Sequence, residues 1–361
     1  MPETKTRGGV EFARPAAGET LVRARDLACH FEVSAPLLTR LLERRPRTML
    51  KAVDGIDLDV RRGETFSVVG ESGCGKSTVA RLLVGLYRPT GGTIEFEGVD
   101  LAALRGRAER APFHRKVQMI FQDPYASLNP RWRVRDIIAE PIRTHRLLTE
   151  PAALRRRVDE LLSQVGLSPT DADKFPHEFS GGQRQRISIA RGLASEPEFL
   201  VCDEPTSALD VSVQAQILNL LKDLQREYGL TYLFISHNLA VIYHISDRVG
   251  VMYLGRLVEV AEVGDLFARP LHPYTRLLLE TVPDLEMSGR DRQPMAGEVP
   301  SPIDPPTGCA FHPRCPFAND RCRSERPRLR HAHGAAVACH AIEEARLPVD
   351  SAGVPLEGRR A

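Results

Sequence analysis

The stretch Gly70 to Ser77 (GESGCGKS) decides how this chain is read. Its glycines let successive backbone amides turn toward phosphate oxygens, and a helix starting at its end presents a positive N-terminus to the same anion. The motif requires a strand before it and a helix after it. Thr65 to Val69 (TFSVV) reads as a short buried strand and Ser77 to Tyr87 as a helix, so that context is present. In such a loop Lys76 reaches the β- and γ-phosphates, and the Ser77 hydroxyl sits on Mg²⁺. Cys74 reads as a small side chain tolerated inside the loop rather than a redox switch.

Further along, Phe199 to Glu204 (FLVCDE) is an apolar strand that ends in two carboxylates. Leaving the sheet on the loop side, Asp203 is placed for the Mg²⁺ shell and Glu204 for orienting or deprotonating an attacking water. Thr231 to Ile235 (TYLFI) and Arg248 to Tyr253 (RVGVMY) repeat the strand character between helical segments, which predicts an α/β sheet. Between Pro130 and Gln164 the apolar spacing of Ile137, Ile138 and Ile142, and of Leu154, Val158, Leu161 and Leu162, predicts a helical insertion. A second glycine-bearing turn, Phe179 to Gln183 (FSGGQ), precedes an amphipathic helix over Gln185 to Ala194. Taken alone, Ser180 there is a helix N-cap. Upstream, Leu21 to Leu27 and Val53 to Val60 alternate as edge strands.

With 361 residues the chain is long enough for two or three units. Its 49 Lys and Arg nearly cancel 47 Asp and Glu, so charge points to neither nucleic acid nor an anionic surface. A run of about 18 apolar residues and a signal-peptide core are both missing, which leads us to expect a soluble, cytoplasmic chain. Residues 1–20 and 346–361 read as loose tails, and the basic stretch Arg40 to Lys51 as a solvated hairpin tip. Composition shifts to Pro, His, Arg and Cys beyond about Leu266. The expected division is therefore 21–265 for a nucleotide-binding unit, with a helical part over about 126–180, and 266–345 for an extension. Within that extension Cys309, Cys315, Cys322 and Cys339 form C-x5-C-x6-C-x16-C. Four thiolates suit tetrahedral zinc or a cubane iron–sulfur cluster, and unmetallated packing is the third reading. His312 and His340 flank the cysteines and could substitute as ligands, but they read first as polar side chains at the surface.

Together these motifs make the chain resemble the ATP-binding subunits of ABC transporters over residues 21 to about 265. The implied fold is an α/β P-loop NTPase (RecA-like) core with a helical ABC subdomain, antiparallel edge strands and a Cys/Pro-rich C-terminal extension. The resemblance implies that Gly70, Glu71, Ser72, Gly73, Cys74, Gly75, Lys76, Ser77 and Thr78 hold the phosphates of ATP. It makes Ser180, Gly182 and Gln183 a signature turn that binds ATP carried by a partner's phosphate loop, and it puts Asp210 (Ser207 to Asp210, SALD) in a D-loop at the interface. Gln122 becomes a Q-loop glutamine near Mg²⁺ and the γ-phosphate, on a loop that faces membrane subunits. His237 becomes a switch histidine holding water near Glu204, and Phe31 the aromatic that stacks on adenine.

The segments around His272 to Tyr274 (HPY), Gly297 to Pro306 and Gly308 to Pro316 are similar to the extension of oligopeptide and dipeptide importer ATPases. Within that group the chain is most similar to the second of two paired ATPases. The implied activity is ATP hydrolysis that energises peptide import, with a nickel, glutathione or export motor and a soluble ATPase on nucleic acid as rival readings. Implied partners are the paired ATPase, two transmembrane permease subunits and, indirectly, an extracytoplasmic peptide-binding protein, at the cytoplasmic face of the membrane; no nucleic-acid partner is expected. The resemblance also favours a four-iron, four-sulfur cluster on the four cysteines, with zinc as the alternative.

Overall fold

A computed structural model describes residues 18–34, 47–280 and 298–347. Most of both tails and the Arg40 to Pro46 part of the basic stretch lie outside the described residues. Strands β1 (Thr20–Glu32) and β2 (Met49–Arg61) pair antiparallel, with their alternating apolar residues, Leu21, Leu27, Ile56 and Val60 among them, turned inward. Next comes β3 (Thr65–Val69), buried along its whole length, and then a helix over Lys76–Leu83. This helix stops short of the expected Tyr87 because Gly85 takes a left-handed φ of 75° that ends it. Strands β4 (Gly91–Phe96) and β5 (Val99–Asp100) complete a four-stranded sheet in the order β2-β1-β4-β5.

The larger sheet adds β6 (Val117–Ile120), β7 (Phe199–Asp203), β8 (Thr231–Ile235), β9 (Arg248–Tyr253) and β10 (Arg256–Glu262). Two short C-terminal strands, β11 (Arg330–Ala332) and β12 (Ala335–Val337), extend its edge, giving the order β11-β12-β10-β9-β3-β8-β7-β6. Strands β6, β7, β8, β3 and β9 run parallel. Continuous apolar runs such as FLVC and TYLFI fit strands covered on both faces. Because the strands are parallel, their C-terminal ends share one edge, where parallel α/β sheets place their binding crevices. The residues following Val69, Ile120, Asp203 and Ile235 therefore meet there.

Between β6 and β7 the chain folds into helices over Val134–Thr144, Pro151–Gln164 and Gly181–Leu193, packed through Ile138, Leu161, Leu162 and Ile187. The last of these starts four residues before the expected Gln185. Ser180 caps it with a full capping box, its hydroxyl accepting from the Gln183 N–H while the Gln183 side chain accepts from the Ser180 N–H. Beyond Leu266, Phe311, Ala335, Val337 and Cys339 belong to the same buried core as the sheet, so this stretch is packed onto it.

Candidate nucleotide site

The phosphate loop is wedged between two strands. A Cβ at Gly70 would meet the Met252 carbonyl oxygen at 2.1 Å, and one at Gly75, where φ is 107°, would meet the Ala52 carbonyl oxygen at 2.0 Å. Glycine is the residue that fits at both points. Lys76 is buried, and its Nζ donates to the carbonyls of Gly70 (2.8 Å) and Glu71 (2.9 Å), which curls the loop around its ammonium. Burial pushes the Cys74 thiol up, so it stays neutral beneath Gly70.

One step further, the Ser77 hydroxyl donates to Asp203 Oδ1 at 3.0 Å, joining the helix after the loop to the end of β7. Burial raises the Asp203 carboxyl, with the Ser77 hydrogen bond opposing it. A hydroxyl and a carboxylate side by side are oxygen donors of the kind that Mg²⁺ takes, so the residues fit that ion.

The neighbouring residue points elsewhere. Glu204 has a left-handed φ of 47°, a conformation costing about 1–3 kcal/mol in a non-glycine residue. Its N–H donates to Ile235 O at 2.9 Å, and its carboxylate receives Gln122 Nε2 at 3.0 Å and faces His237 Nδ1 at 3.2 Å. Three residues expected from the sequence, at the ends of β6, β7 and β8, thus meet at one carboxylate. His237 is 61% exposed, leaving its ring free to turn toward a ligand.

The second glycine-bearing turn has different neighbours. Ser180 and Gln183 are exposed, while a Cβ on Gly182 would meet Val213 Cγ1 at 2.4 Å. Gly181 lies against Leu209, in the turn that ends with Asp210 at the N-terminus of the Val211–Tyr228 helix. The two expected interface elements are therefore packed together. Phe31 is half-buried on β1, edge-on to Tyr87 at 5.5 Å, a partner the sequence reading missed.

The larger omission is in the phosphate loop itself. Glu71 donates its N–H to the Tyr274 hydroxyl at 2.9 Å, and its carboxylate forms a two-pronged pair with Arg314 at 3.0 and 3.1 Å. Both partners come from the extension, over two hundred residues away, in the HPY and Gly308 to Pro316 segments, where nothing in the local sequence points to the phosphate loop.

The expected iron–sulfur or zinc site is not supported. Among the described residues no three His, Cys, Asp or Glu side chains form a group that could hold a metal ion. Burial, with smaller contributions from neighbouring cysteines, pushes the Cys309 thiol up to about 12 and Cys315 to about 11, and raises Cys339 as well. Such thiols stay protonated, as in the packing alternative. His340, expected at the surface, is buried, its Nε2 facing the Glu325 carbonyl at 3.1 Å.

Comparison with known proteins agrees with this geometry. Residues 53–207 match the family model described as ABC transporter, and residues 258–322 match the one described as oligopeptide/dipeptide transporter, C-terminal region. The chain is 49% identical over 326 residues to the oligopeptide transport ATP-binding protein AppF of Bacillus subtilis, covering 89% of this chain and 97% of that protein. It is 48% identical over 329 residues to the oligopeptide transport ATP-binding protein OppF of Escherichia coli, covering 90% and 97%. Among solved structures, a dimeric post-hydrolysis ATP-binding cassette, MJ0796, bound to ADP and phosphate superposes with a TM-score of 0.58 at 26% identity, covering 67% of this chain and 98% of that one.

Proposed function

Since this chain belongs to the ATP-binding subunits of ABC transporters, on the oligopeptide and dipeptide branch, we propose that Glu204 is the group through which it hydrolyses ATP to drive peptide import. The convergence of Gln122 and His237 on the Glu204 carboxylate, beside the phosphate loop, is the observation that carries the reading. The loop amides and Lys76 bind the phosphates, and Phe31 meets the adenine. Ser77 and Asp203 would hold Mg²⁺, with Gln122 close by. That ion supplies charge that offsets the phosphate oxygens. Glu204 accepts the proton of the attacking water, and His237 holds that water in line.

The exposed Ser180 turn and Asp210 face outward to a second, paired ATPase, whose phosphate loop they complete, while the loop after Gln122 docks on two permease subunits. Tyr125 and Trp132, 64% and 44% exposed on that loop, are apolar surface suited to such a contact. An extracytoplasmic binding protein would deliver cargo to those permeases. No described helix is long and apolar enough to cross a membrane, which suits a peripheral subunit held at the cytoplasmic face by its partners.

Glu204→Gln in the assembled transporter tests the central role. ATP turnover is expected to fall by about 10²-fold or more, as for loss of a general base, with ATP binding retained. Normal turnover would remove Glu204 from the mechanism.

A further inference from the structure

We propose that the C-terminal extension sets the shape of the phosphate loop through Glu71, making Tyr274 and Arg314 positioning residues for nucleotide binding. The proposal rests on the reading of Gly70 to Ser77 as that loop and adds what holds it. Glu71 is engaged at every polar group. Its N–H goes to the Tyr274 hydroxyl, its carbonyl receives Lys76 Nζ at 2.9 Å, and its carboxylate is forked by Arg314. One residue therefore links the extension to the ammonium that is expected to meet the phosphates.

Both partners are themselves fixed. The Arg314 side chain is 3% exposed, with its guanidinium 5.8 Å from the rings of Tyr253 and Phe311. A planar fork already held by packing loses little freedom in pairing, and a bidentate carboxylate contact fixes direction as well as distance. Tyr274 is fully buried, its ring centre 4.7 Å from Tyr253 and 5.5 Å from Phe311. Behind it runs a polar chain. The buried Glu259 carboxylate on β10 accepts from the N–H groups of Leu271 and His272, both at 2.9 Å, and His272 Nδ1 accepts from the Tyr274 N–H at 3.0 Å. Burial drives the His272 pKa down to about 3, which keeps that nitrogen an acceptor. The HPY segment is thus anchored in the sheet at one end and in the phosphate loop at the other.

A loop held in its binding shape before ligand arrives spends less binding free energy on ordering. Releasing either tie should weaken ATP binding without altering the chemistry at Glu204. If Arg314 merely neutralised a carboxylate that repels phosphate, removing the carboxylate would tighten binding instead. The two accounts differ in sign.

Titration calorimetry of Mg-ATP into the full-length chain separates them, with urea unfolding of each variant as the stability control. Arg314→Gln and Glu71→Gln should each raise Kd about tenfold, the double variant should be no worse than either single, and Tyr274→Phe should raise Kd about threefold. Arg314→Lys should fall between wild type and Arg314→Gln, because an ammonium restores the charge but not the fork. Tighter binding by Glu71→Gln, single variants within twofold of wild type, or losses that add in the double variant would each overturn the proposal. If Arg314→Gln fails to fold, Glu71→Gln and Tyr274→Phe decide it by the same criteria. Lys76→Ala is the reference: retained affinity there would sink the phosphate-loop reading itself, whereas lost affinity there with unaffected Glu71 and Tyr274 variants would sink this inference alone.

Discussion

Two glycine-bearing turns in this molecule each open a helix, yet they are built in opposite ways. The turn at Gly70 to Ser77 is braced from outside, with the Met252 and Ala52 carbonyls against Gly70 and Gly75, Asp203 on Ser77, and Tyr274 and Arg314 on Glu71, while Ser72 and Gly73 at its tip are exposed. The turn at Ser180 is held by its own capping box and by the contact of Gly182 with Val213, and it leaves Ser180 and Gln183 in solvent. Loop amides that bind a ligand unaided need outside bracing. A turn that meets its ligand from across an interface needs to be presented. The contrast supports reading the first as this chain's own ATP site and the second as half of a neighbour's.

Ser180→Arg should break the comparison most visibly. It is expected to cut ATP turnover of the assembled transporter by about 10²-fold, the size of effect seen when a donor to a developing charge is lost. The full-length chain alone should still bind Mg-ATP within twofold of wild type. A matching loss of affinity in the isolated chain would mean that both turns serve the same site.

A smaller effect is expected at Asp54, which pairs with Arg256 at 2.6 Å and with Arg326 of the extension, and whose N–H reaches the Gly255 carbonyl beside Cys74. Burial alone would raise its pKa, but Arg256, Arg326 and Lys51 outweigh that and hold it below the ordinary carboxylate value. A depressed carboxylate stabilises the fold above its unfolded pKa and loses that contribution as pH falls through the folded value. Asp54→Asn should therefore cost about 1.5–3 kcal/mol in urea unfolding at neutral pH. The gap to wild type should close as both are taken to acid, below the ordinary carboxylate range, where Asp54 becomes protonated in the folded chain too. A gap independent of pH would show that the pair contributes nothing.

The smallest change concerns the presented turn. Gly182→Ala places a methyl against Val213 Cγ1, a side chain that can shift, and should cost about 1–2 kcal/mol of stability. Val213→Ala in the same chain should recover most of it. Failure of that rescue in thermal unfolding would mean the glycine serves something other than packing.

How much could be read beforehand divides along the same line. Strands β3, β7 and β8 stood out because buried parallel strands are unbroken apolar runs, and the motifs at their ends then followed from one shared edge. The Ser180 helix is legible too, in its amphipathic run, while its first turn, Gly181 to Arg184, carries two glycines and no apolar residue to extend that pattern. Hidden were the contacts made by residues with no local pattern. Arg314 lies in the Gly308 to Pro316 segment, whose sequence does not say what its guanidinium meets; its burial beside Tyr253 and Phe311 exists only in the folded chain. The same holds for Tyr87 against Phe31, and for β12, three residues long and paired to β10. Four cysteines in one segment left metal binding and plain packing both open until the family resemblance favoured a cluster, whereas the side-chain geometry brings together no group that could hold a metal ion among the described residues.

The Glu71 to Arg314 pair also sets an order of events during synthesis. Its members are 243 positions apart, so at about 5–20 residues per second a ribosome takes roughly 12–50 s to go from one to the other. Until Tyr274 has been made the phosphate loop lacks both ties and until Arg314 has been made it lacks one, while β10, once made, keeps an unpaired edge until β12 follows it. A turn translated within the first quarter of the chain thus acquires its last contacts only when nearly all of the chain has been translated.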